Sequence, residues 1–441
     1  MDEFTGSQRD AASTIFNLSD YRVIDAIDLP GGGRRVVIES LAPPGCPACG
    51  VIAVKIHSRR RQRLRDLPIA GAVEVWWAKR RWFCREELCG RGTFAESTIQ
   101  VPRFARSTTR LKNQVVAAVV DSGRAASEVA RAHGVSWWLV QSALAAAALV
   151  LPAADDWVVT RLGIDEHRYR SVRFFRDEHG AWRRFEPWMT TLVDLATGQV
   201  LGIVDGRDST GVGAWLSARP QSWRDRIEVV AIDPSAAFRK ALREHLPHAA
   251  VSVDKFHLVK LAGDMLTKVR QRLARDQHGR RGRKSDASWA HRMLLLRGAD
   301  TLSPRGWARL EKVFTDDDPT DELSAAWGVK EQLRRLLGAD TLAQAWQERM
   351  RLGHYVQTAN MAETDRLYET IVTWWEAIEV LIVTGATTAK VEAANTTIKN
   401  IKRTGRGFRN SANYKARILL ASAARAAART PITAGLSPRT A

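Results

Sequence analysis

Hydrophobic and polar residues alternate with a period of two in the first part of the chain. Residues 21–27, 34–40 and 73–83 each show this alternation, which is typical of half-buried strands. A turn containing Gly31, Gly32 and Gly33 separates the first two. From 107 to 151 the spacing becomes helical. The pattern therefore predicts a small β-rich region followed by a helical one.

After residue 156 the pattern changes to short apolar segments. Those that predict strands are residues 157–164, 188–194, 199–205, 226–232 and 249–253. The second and third form a hairpin, and a helix at 238–245 precedes the last. Beyond Lys255 the chain is helical for roughly 130 residues. A final amphipathic helix begins near Ala389. This order predicts an α/β domain with a long all-helical insertion.

Residues 126–136 have the form of a helix, a glycine turn and a second helix capped by Ser136. In a helix-turn-helix, a small Ala130 lets the helices cross closely and Gly134 takes the turn, with Val135 and Val140 buried. The side chains predicted to face a DNA major groove are Trp137, Trp138 and Gln141. An ordinary three-helix linker is the alternative.

All four cysteines lie in one stretch, as the pairs Cys46/Cys49 and Cys84/Cys89. Two close-set pairs separated by a strand are the ligand spacing of a zinc ribbon, in which four thiolates surround one structural Zn²⁺. A redox Cys-Pro-x-Cys motif would not need the second pair. Two disulfides would need an oxidising compartment, for which the sequence gives no sign.

The chain of 441 residues carries 67 Lys and Arg against 48 Asp and Glu, a formal charge of +19. Such an excess favours a polyanionic partner, since nucleic-acid phosphates release counterions on binding. The arginine run predicted to contact phosphates, on a loop or strand end, is Arg59, Arg60, Arg61 and Arg63. A solvated charge run is the alternative. The N-terminus lacks the features of a signal peptide and no apolar segment is long enough to cross a bilayer, so we expect a cytoplasmic protein without a membrane partner.

Three acidic residues form the candidate active site. Asp165 and Asp233 follow apolar strands, and Glu392 lies on the final helix, which can pack against that sheet. Three gathered carboxylates repel one another unless cations lie between them, and such ligands select Mg²⁺ or Mn²⁺. Two ions would activate an attacking oxygen and stabilise the leaving one. The alternative is that strand-end aspartates merely cap helices or turns.

Polar residues follow Glu392 along one face of the final helix, since Asn395, Lys399 and Lys402 are spaced three, four and three residues apart. A carboxylate followed by cations suits a metal ligand beside a DNA backbone. A surface charge pair is the alternative. The arginines expected to extend this basic strip are Arg403, Arg406 and Arg409.

Several local motifs resemble those of RNase H-like DDE transposases. Residues 163–167 (Gly-Ile-Asp-Glu-His) resemble the strand of the first acid, and residues 232–238 that of the second. Residues 254–257 (Asp-Lys-Phe-His) resemble the motif on the following strand, while residues 392–399 and 406–410 resemble the helix of the third acid and its basic trailer. With the N-terminal cysteines, these motifs are similar to the ISL-three group of bacterial insertion-sequence enzymes. The group's second cysteine pair commonly has two intervening residues, whereas Cys84 and Cys89 have four.

The resemblance implies a metal-dependent transposase that binds terminal inverted repeats, cleaves DNA and transfers the strand to target DNA. It implies a bacterial, nucleoid-associated protein that acts as a homodimer or larger assembly, because two DNA ends must be paired. Asp254 is a rival for the second acid, but its motif resembles a following-strand element in which His257 orients DNA or supports the site. A non-catalytic DNA-binding regulator and a structure-specific nuclease remain alternatives.

The predicted domains follow from these motifs. They are an N-terminal lead-in (1–45), a zinc ribbon (46–100), a helix-turn-helix domain (105–152), an RNase H-like catalytic domain (157–425, with its helical insertion at about 258–388) and a flexible tail (426–441).

Overall fold

The structure, a computed structural model, describes residues 10–69 and 71–429. It divides into two compact units. The first contains the described residues up to Leu151 together with Ile401–Arg425, and the second contains Pro152–Asn400 and the described residues after Arg425. The strands are β1 (Tyr21–Asp28), β2 (Arg34–Ser40), β3 (Ile56–Leu64), β4 (Val73–Phe83), β5 (Thr93–Ala95), β6 (Arg161–Arg168), β7 (Arg173–Arg176), β8 (Trp182–Phe185), β9 (Trp188–Asp194), β10 (Val200–Asp205), β11 (Val229–Ile232) and β12 (Ala250–Val253).

The α-helices are α1 (Ala11–Phe16), α2 (Thr109–Val120), α3 (Ala126–Ala132), α4 (Trp137–Leu149), α5 (Ser209–Ser217), α6 (Gln221–Arg224), α7 (Ala236–His245), α8 (Lys255–His278), α9 (Ala287–Ala290), α10 (Arg292–Leu296), α11 (Pro304–Asp316), α12 (Glu322–Leu336), α13 (Leu342–Ala359), α14 (Ala362–Thr373), α15 (Trp375–Thr384), α16 (Ala389–Thr404) and α17 (Ser411–Arg429).

A five-stranded sheet forms the N-terminal part of the first unit. Its order is β1-β2-β4-β3, and β5 pairs with the end of β4. Ile38 and Trp77, on the parallel neighbours β2 and β4, are fully buried in one core with Tyr21. The lead-in predicted at 1–45 is therefore not separate from the ribbon, because its two strands complete the ribbon's sheet. Residues 1–9 of that lead-in lie outside the described residues.

Helices α2, α3 and α4 form a small bundle in the same unit. Thr108 and Ser136 cap α2 and α4 by accepting hydrogen bonds from Leu111 N and Leu139 N. Gly134 takes the left-handed conformation (φ +60°) in the turn between α3 and α4. Val140 is buried as predicted, whereas Val135 is only half-buried. The two helices and the glycine turn between them lie where the sequence predicted them.

Residues Trp137–Asp156 are long and apolar enough to cross a membrane by length and composition alone. The α-helix within them, α4, ends at Leu149 after 13 residues. At 1.5 Å per residue it reaches about 20 Å, less than the roughly 30 Å hydrocarbon core of a bilayer. Val140 and Leu144 on this helix pack in the core of the bundle. These residues belong to the buried face of α4, while Trp138 and Leu149 on the same helix are exposed.

The second unit is built on a mixed five-stranded sheet of order β10-β9-β6-β11-β12. β6 is antiparallel to β9 and parallel to β11, and β12 continues the parallel part. The parallel strands β6, β11 and β12 are paired in register up to one last row. That row consists of Ile164, Ile232 and Val253. Because these residues are fully buried, the sheet centre is fixed by apolar packing, and the residues that follow come to one edge.

The chain from α8 to α15 is helical, as predicted for the insertion. Helix α8 is 24 residues long and buries Leu258, Leu266 and Val269 in the same core as Val329 and Leu333 of α12. The insertion therefore shares its hydrophobic core with the sheet, so the start of α8 is held firmly at the end of β12.

Some boundaries differ from those predicted. β6 and β11 begin at Arg161 and Val229, three to four residues late, because the apolar residues before them, Val159 and Ile227, pack in the core without strand pairing. Ile401–Arg425 belong to the first unit, not to the predicted catalytic domain, since Leu420 packs with the α2–α4 bundle. Of the predicted tail, Ala426–Arg429 continue α17 and residues 430–441 lie outside the described residues.

Candidate active site

Asp165, Asp233 and Asp254 come to one edge of the second unit's sheet. Each directly follows a member of the last in-register row, Ile164, Ile232 or Val253. Parallel neighbours in register project their side chains to the same side of a sheet. Asp165 lies inside β6 and not at its end, because β6 continues in pairing with β9. The acids are adjacent because the parallel pairing stops there.

A chain of hydrogen bonds fixes the Asp165 carboxylate. Asn395 Nδ2 of α16 donates to Asp165 Oδ2 over 2.7 Å, and Asn395 Oδ1 accepts from Thr191 Oγ1 at 2.9 Å. Thr191 Oγ1 in turn lies 2.9 Å from His167 Nδ1. All four residues are buried. The sequence predicted that Asn395 contacts DNA, but its side chain is only 3% exposed and instead orients a catalytic candidate.

Asp233 has an unsatisfied oxygen beside a second carboxylate. Within the described residues its buried Oδ1 has no hydrogen-bond partner, while Oδ2 lies 3.0 Å from His257 Nε2. Burial, followed by the nearby charge of Asp165, raises the pKa of Asp233 to about 8. Two adjacent carboxylates with a free buried oxygen are a site that a cation would satisfy.

The rival acid Asp254 is already used structurally. Its Oδ2 caps α8 by accepting from His257 N, and Oδ1 accepts from Thr388 N at 3.4 Å. Although burial alone would raise it, these hydrogen bonds and one from the His257 ring hold the pKa of Asp254 below its usual value. Asp254 therefore links α8, the start of α16 and His257, and Asp233 is the freer of the two acids.

His257 stands between the two acids. Its Nδ1 is 3.3 Å from Asp254 Oδ2, and its Nε2 is the atom that contacts Asp233. The hydrogen bond with Asp254, together with both negative charges, raises the pKa of His257 despite its burial. The sequence left open whether His257 orients DNA or supports the site, and its contacts in the structure are those of a supporting residue.

Glu392 lies in the first turn of α16 and is half-buried. It is four residues after Thr388, which contacts Asp254, and three before Asn395, which binds Asp165. These spacings place Glu392 on the helix face that meets the sheet edge. Within the described residues its carboxylate makes no hydrogen bond or ion pair, so it is available as a ligand.

Two groups of described residues bring their ligand atoms within 4.8 Å of one another. They are Asp233/Asp254/His257 and the four cysteines. Asp165, Asp233 and Glu392 do not form such a close group, although Asp165 and Asp233 are adjacent. The hard oxygen donors at this edge, with the orphaned Asp233 Oδ1, fit Mg²⁺ or Mn²⁺.

The cysteines form a compact tetrad in the first unit. Cys46 Sγ lies 4.0 Å from Cys89 Sγ, and Cys49 Sγ lies 3.6 Å from Cys84 Sγ. Hydrogen bonds from the Ala48 and Cys49 amides lower the pKa of Cys46 to about 6, which favours the metal-binding thiolate. The four residues between Cys84 and Cys89 do not prevent the second pair from joining the first.

The predicted arginine run lies within strand β3, not on a loop. Arg59, Arg60, Arg61 and Arg63 are all exposed on this edge strand, and Arg63 binds Glu74 at 2.9 Å. Arginines on an edge strand also prevent unwanted strand pairing. The run therefore combines a cationic surface with protection of the sheet edge.

The helix-turn-helix residues differ in their surroundings. Trp138 is 75% exposed, and its contact with DNA stays a prediction. Trp137 and Gln141 instead line a cavity of about 460 Å³ within the first unit, which Arg409 also lines. Trp137 is 40% exposed, so its contact with a major groove stays a prediction. Residues of α17 and of the loop before it line the same cavity.

The basic residues at the end of α16 are mostly exposed. Lys399, Arg403 and Arg409 are exposed and Lys402 is half-buried, in keeping with the predicted basic strip. Arg406 is exposed but binds Glu128 of α3 at 2.6 Å, so its guanidinium also ties the loop to the bundle.

Sequence reasoning missed the hairpin of β7 and β8, which leaves the sheet directly after β6. Its eight strand residues are all exposed. Each cross-strand pair joins one arginine to one aromatic residue, as in Arg176↔Trp182, where the guanidinium lies 5.2 Å from the ring. The signal was present as two aromatic–arginine segments around the turn at residues 177–181, in which Gly180 has φ +77°.

Comparisons with known proteins agree with this architecture. A family profile described as transposase, of the ISL3 type, matches residues 162–418. A second, described as the zinc-finger of transposase IS204/IS1001/IS1096/IS1165, matches residues 42–89.

Individual relatives carry the same description. The chain is 27% identical over 397 residues to the transposase for insertion sequence element IS1001 of Bordetella parapertussis, covering 88% of this chain and 92% of that one. It is 24% identical to the transposase for IS1557 of Mycobacterium tuberculosis, over 58% of this chain and 61% of that one. A solved strand transfer complex of the Drosophila P element transposase covers 70% of this chain and 91% of its own, at 10% identity and a TM-score of 0.36.

Proposed function

Since this chain belongs to the ISL3 family of transposases, we propose that it cleaves DNA at Asp165, Asp233 and Glu392. The observation that carries this assignment is that Asp165 and Asp233 lie next to each other after the last in-register pair, Ile164↔Ile232, and that Asp233 Oδ1 is buried and unsatisfied within the described residues. In the sheet, β6 lies between the antiparallel β9 and the parallel β11, and β11 is also parallel to β12. This strand order supports an RNase H-like core.

The chain's own residues would act as follows. Asp165 and Asp233 would hold divalent cations, Mg²⁺ or Mn²⁺, with Glu392 completing the ligands from α16. When bound, two such ions lower the pKa of an attacking water or 3′-hydroxyl and stabilise the leaving oxygen. Asn395 keeps Asp165 oriented, and His257 with Asp254 keeps Asp233 in place. Carboxylates held in this way need little rearrangement before they bind cations.

DNA recognition would lie mainly in the first unit. The zinc ribbon, with its exposed arginines on β3, and the helix-turn-helix formed by α3 and α4 would bind the terminal inverted repeats. Trp138 is the exposed aromatic residue on the second of these helices. Since two element ends must be joined, we propose that the active form is a dimer or larger assembly.

The β7–β8 hairpin would add a DNA contact close to the chemistry. A two-stranded ribbon fits the major groove of a duplex, and arginines favour phosphates. The ribbon emerges from β6, the strand that carries Asp165. Arg183 and Arg184 are engaged by Asp177 and Glu186, whereas Arg173 and Arg176 have no carboxylate partner within the described residues.

The function is tested with DNA taken from immediately outside the gene. Purified protein, Mg²⁺ and labelled duplexes carrying these flanks are expected to give nicks at the repeat boundary and then joined products with a target plasmid. A duplex with a scrambled repeat is the control. Binding without cleavage would identify a regulator, and cleavage that ignores the repeat would identify a nuclease.

A further inference from the structure

A buried arginine in the first unit makes no direct ion pair within the described residues. Arg417 of α17 is only 5% exposed, and within the described residues its Nη1 makes no hydrogen bond. An unpaired buried charge is strongly unfavourable, so such a group is normally paired or binds a ligand. Burial lowers the pKa of Arg417 to about 10, although Asp121 acts in the opposite direction. The guanidinium stays charged at neutral pH, and within the described residues no carboxylate forms a direct ion pair with it.

Arg417 lines the cavity of about 460 Å³ that Trp137 and Gln141 also line. Two further arginines, Arg124 and Arg409, belong to its wall, and no carboxylate does. The remaining polar wall residues are amides and one hydroxyl, all able to donate hydrogen bonds. The cavity is thus cationic and rich in donors, which suits an anion with several acceptor oxygens.

Aromatic rings make up another part of the wall. Trp137 and Phe408 both line the cavity, and each is held by a second ring, Trp138 at 5.1 Å and Tyr414 at 5.1 Å respectively. The loop that carries Phe408 is fixed by the Arg406–Glu128 ion pair. A flat ring could therefore lie against a wall that is already in place.

We propose that this cavity binds a single nucleotide unit, with its phosphate at Arg417, Arg124 and Arg409 and its base against Trp137 and Phe408. An acidic side chain of a protein would satisfy the arginines but would leave the aromatic wall unused. Free mononucleotide and a nucleotide displaced from a DNA strand share this chemistry. This proposal rests on the proposed function, because transposition would supply the DNA strand from which the nucleotide is displaced.

The test is a binding titration of the full-length chain with deoxyadenosine monophosphate, inorganic phosphate, and a duplex containing one unpaired nucleotide. The variant Arg417→Met should lower affinity for the mononucleotide or the bulged duplex at least about tenfold, as expected for a lost charge-assisted hydrogen bond. The same variant should raise the unfolding temperature of the free protein, because an unpaired buried charge is removed. Arg425→Met, on the same helix but outside the cavity, is the control for both measurements.

A second pair of variants tests the aromatic wall. Trp137→Leu should weaken binding of the mononucleotide while leaving that of inorganic phosphate unchanged, and Phe104→Leu, at an exposed aromatic residue outside the cavity, should change neither. Weakened binding of the bulged duplex alone would identify DNA as the source of the nucleotide. The proposal is overturned if Arg417→Met changes no affinity, or if it lowers the unfolding temperature as a purely structural arginine would. If the acidic triad is assigned wrongly, Asp165→Asn will cleave DNA normally. That result would leave the nucleotide titrations unaffected, so the two proposals can fail separately.

Discussion

Asn395 shows how one buried amide can decide whether a carboxylate is usable. Its Nδ2 donates to Asp165 and its Oδ1 accepts from Thr191, so the amide cannot rotate without losing two hydrogen bonds. Residues that orient metal ligands typically contribute about 10- to 100-fold to metal affinity or activity.

We therefore expect Asn395→Ala to lower the rate of DNA cleavage by roughly 10- to 100-fold. Part of the loss should be recovered at higher Mg²⁺ or Mn²⁺ concentration, since the ligand itself remains. Asn400→Ala, an exposed asparagine on the same helix, is the matched control. Equal rates for the two variants would show that Asn395 does not position Asp165.

Substitutions of Asp233 and Asp254 should shift the unfolding temperature in opposite directions when a chelator is present. Because the folded-state pKa of Asp233 is about 8, above the usual 3.9, its ionisation opposes folding, and this penalty grows as the pH rises from about 4 to about 8. Asp233→Asn should therefore raise the unfolding temperature at pH 7 and have less effect at pH 4.

Asp254→Ala removes the cap of α8 and should lower stability by about 1 kcal/mol. A loss of stability in both variants at pH 7 would contradict the roles assigned here.

Residue identities at the site were partly predictable. The three acids and His257 could be named because each lies in a short motif or at the end of an apolar segment. The role of Asn395 could not, since helical spacing puts it on one face with Glu392 and Lys399 but does not reveal which neighbour that face meets. Only the packing of α16 on the sheet turns an expected DNA contact into a buried bond to Asp165.

At the scale of elements, the zinc ribbon has little apolar core of its own around the metal site. The cluster there contains Cys46, Ala53, Trp82 and Phe94. A module of this size depends on its metal for much of its folding energy.

We expect about one zinc per chain in the purified protein, by metal analysis. Cys49→Ser should reduce this content and expose residues 42–95 to proteolysis, while the second unit stays resistant. Chelation of the wild-type protein should have the same effect, and added zinc should reverse it. A metal content that is unchanged in Cys49→Ser would refute the four-cysteine site.

The β7–β8 hairpin offers a prediction on DNA binding. Arg173→Ala with Arg176→Ala should weaken affinity for duplex DNA and reduce the slope of log K against log salt by about one unit per arginine. Arg183→Ala, whose guanidinium is held by Asp177, is the control and should change the slope less. An unchanged slope in the double variant would remove the hairpin from the DNA-contacting surface.

Elements with clear periodicity were predicted well, as for β2, β4 and β9, whose bounds match. The β7–β8 hairpin was missed because both of its faces are exposed, so neither carries the alternation of apolar and polar residues that marks a half-buried strand. Strand β3 was missed for a similar reason, because a run of charged residues on an edge strand gives the same sequence pattern as a solvated loop.

For the whole molecule, composition alone predicted a polyanionic partner, since a charge of +19 favours nucleic acid. The zinc ribbon and the transposase domain that follows it were also foreseeable from their motifs. The return of Ile401–Arg425 to the first unit was not, because contacts between segments some 300 residues apart leave no local pattern. That return forms the cavity around Arg417, which residues of α17 and of the α2–α4 bundle line together.

The central claim is that Asp165, Asp233 and Glu392 together hold catalytic cations. Its most direct test is Mg²⁺-dependent cleavage of repeat-end DNA by Asp165→Asn, Asp233→Asn and Glu392→Gln, with Glu376→Gln as the control. We expect each of the three to lose cleavage by at least about a thousandfold, as removal of a group acting in a catalytic unit does, while still binding the DNA. Wild-type cleavage by any one of them would contradict the account.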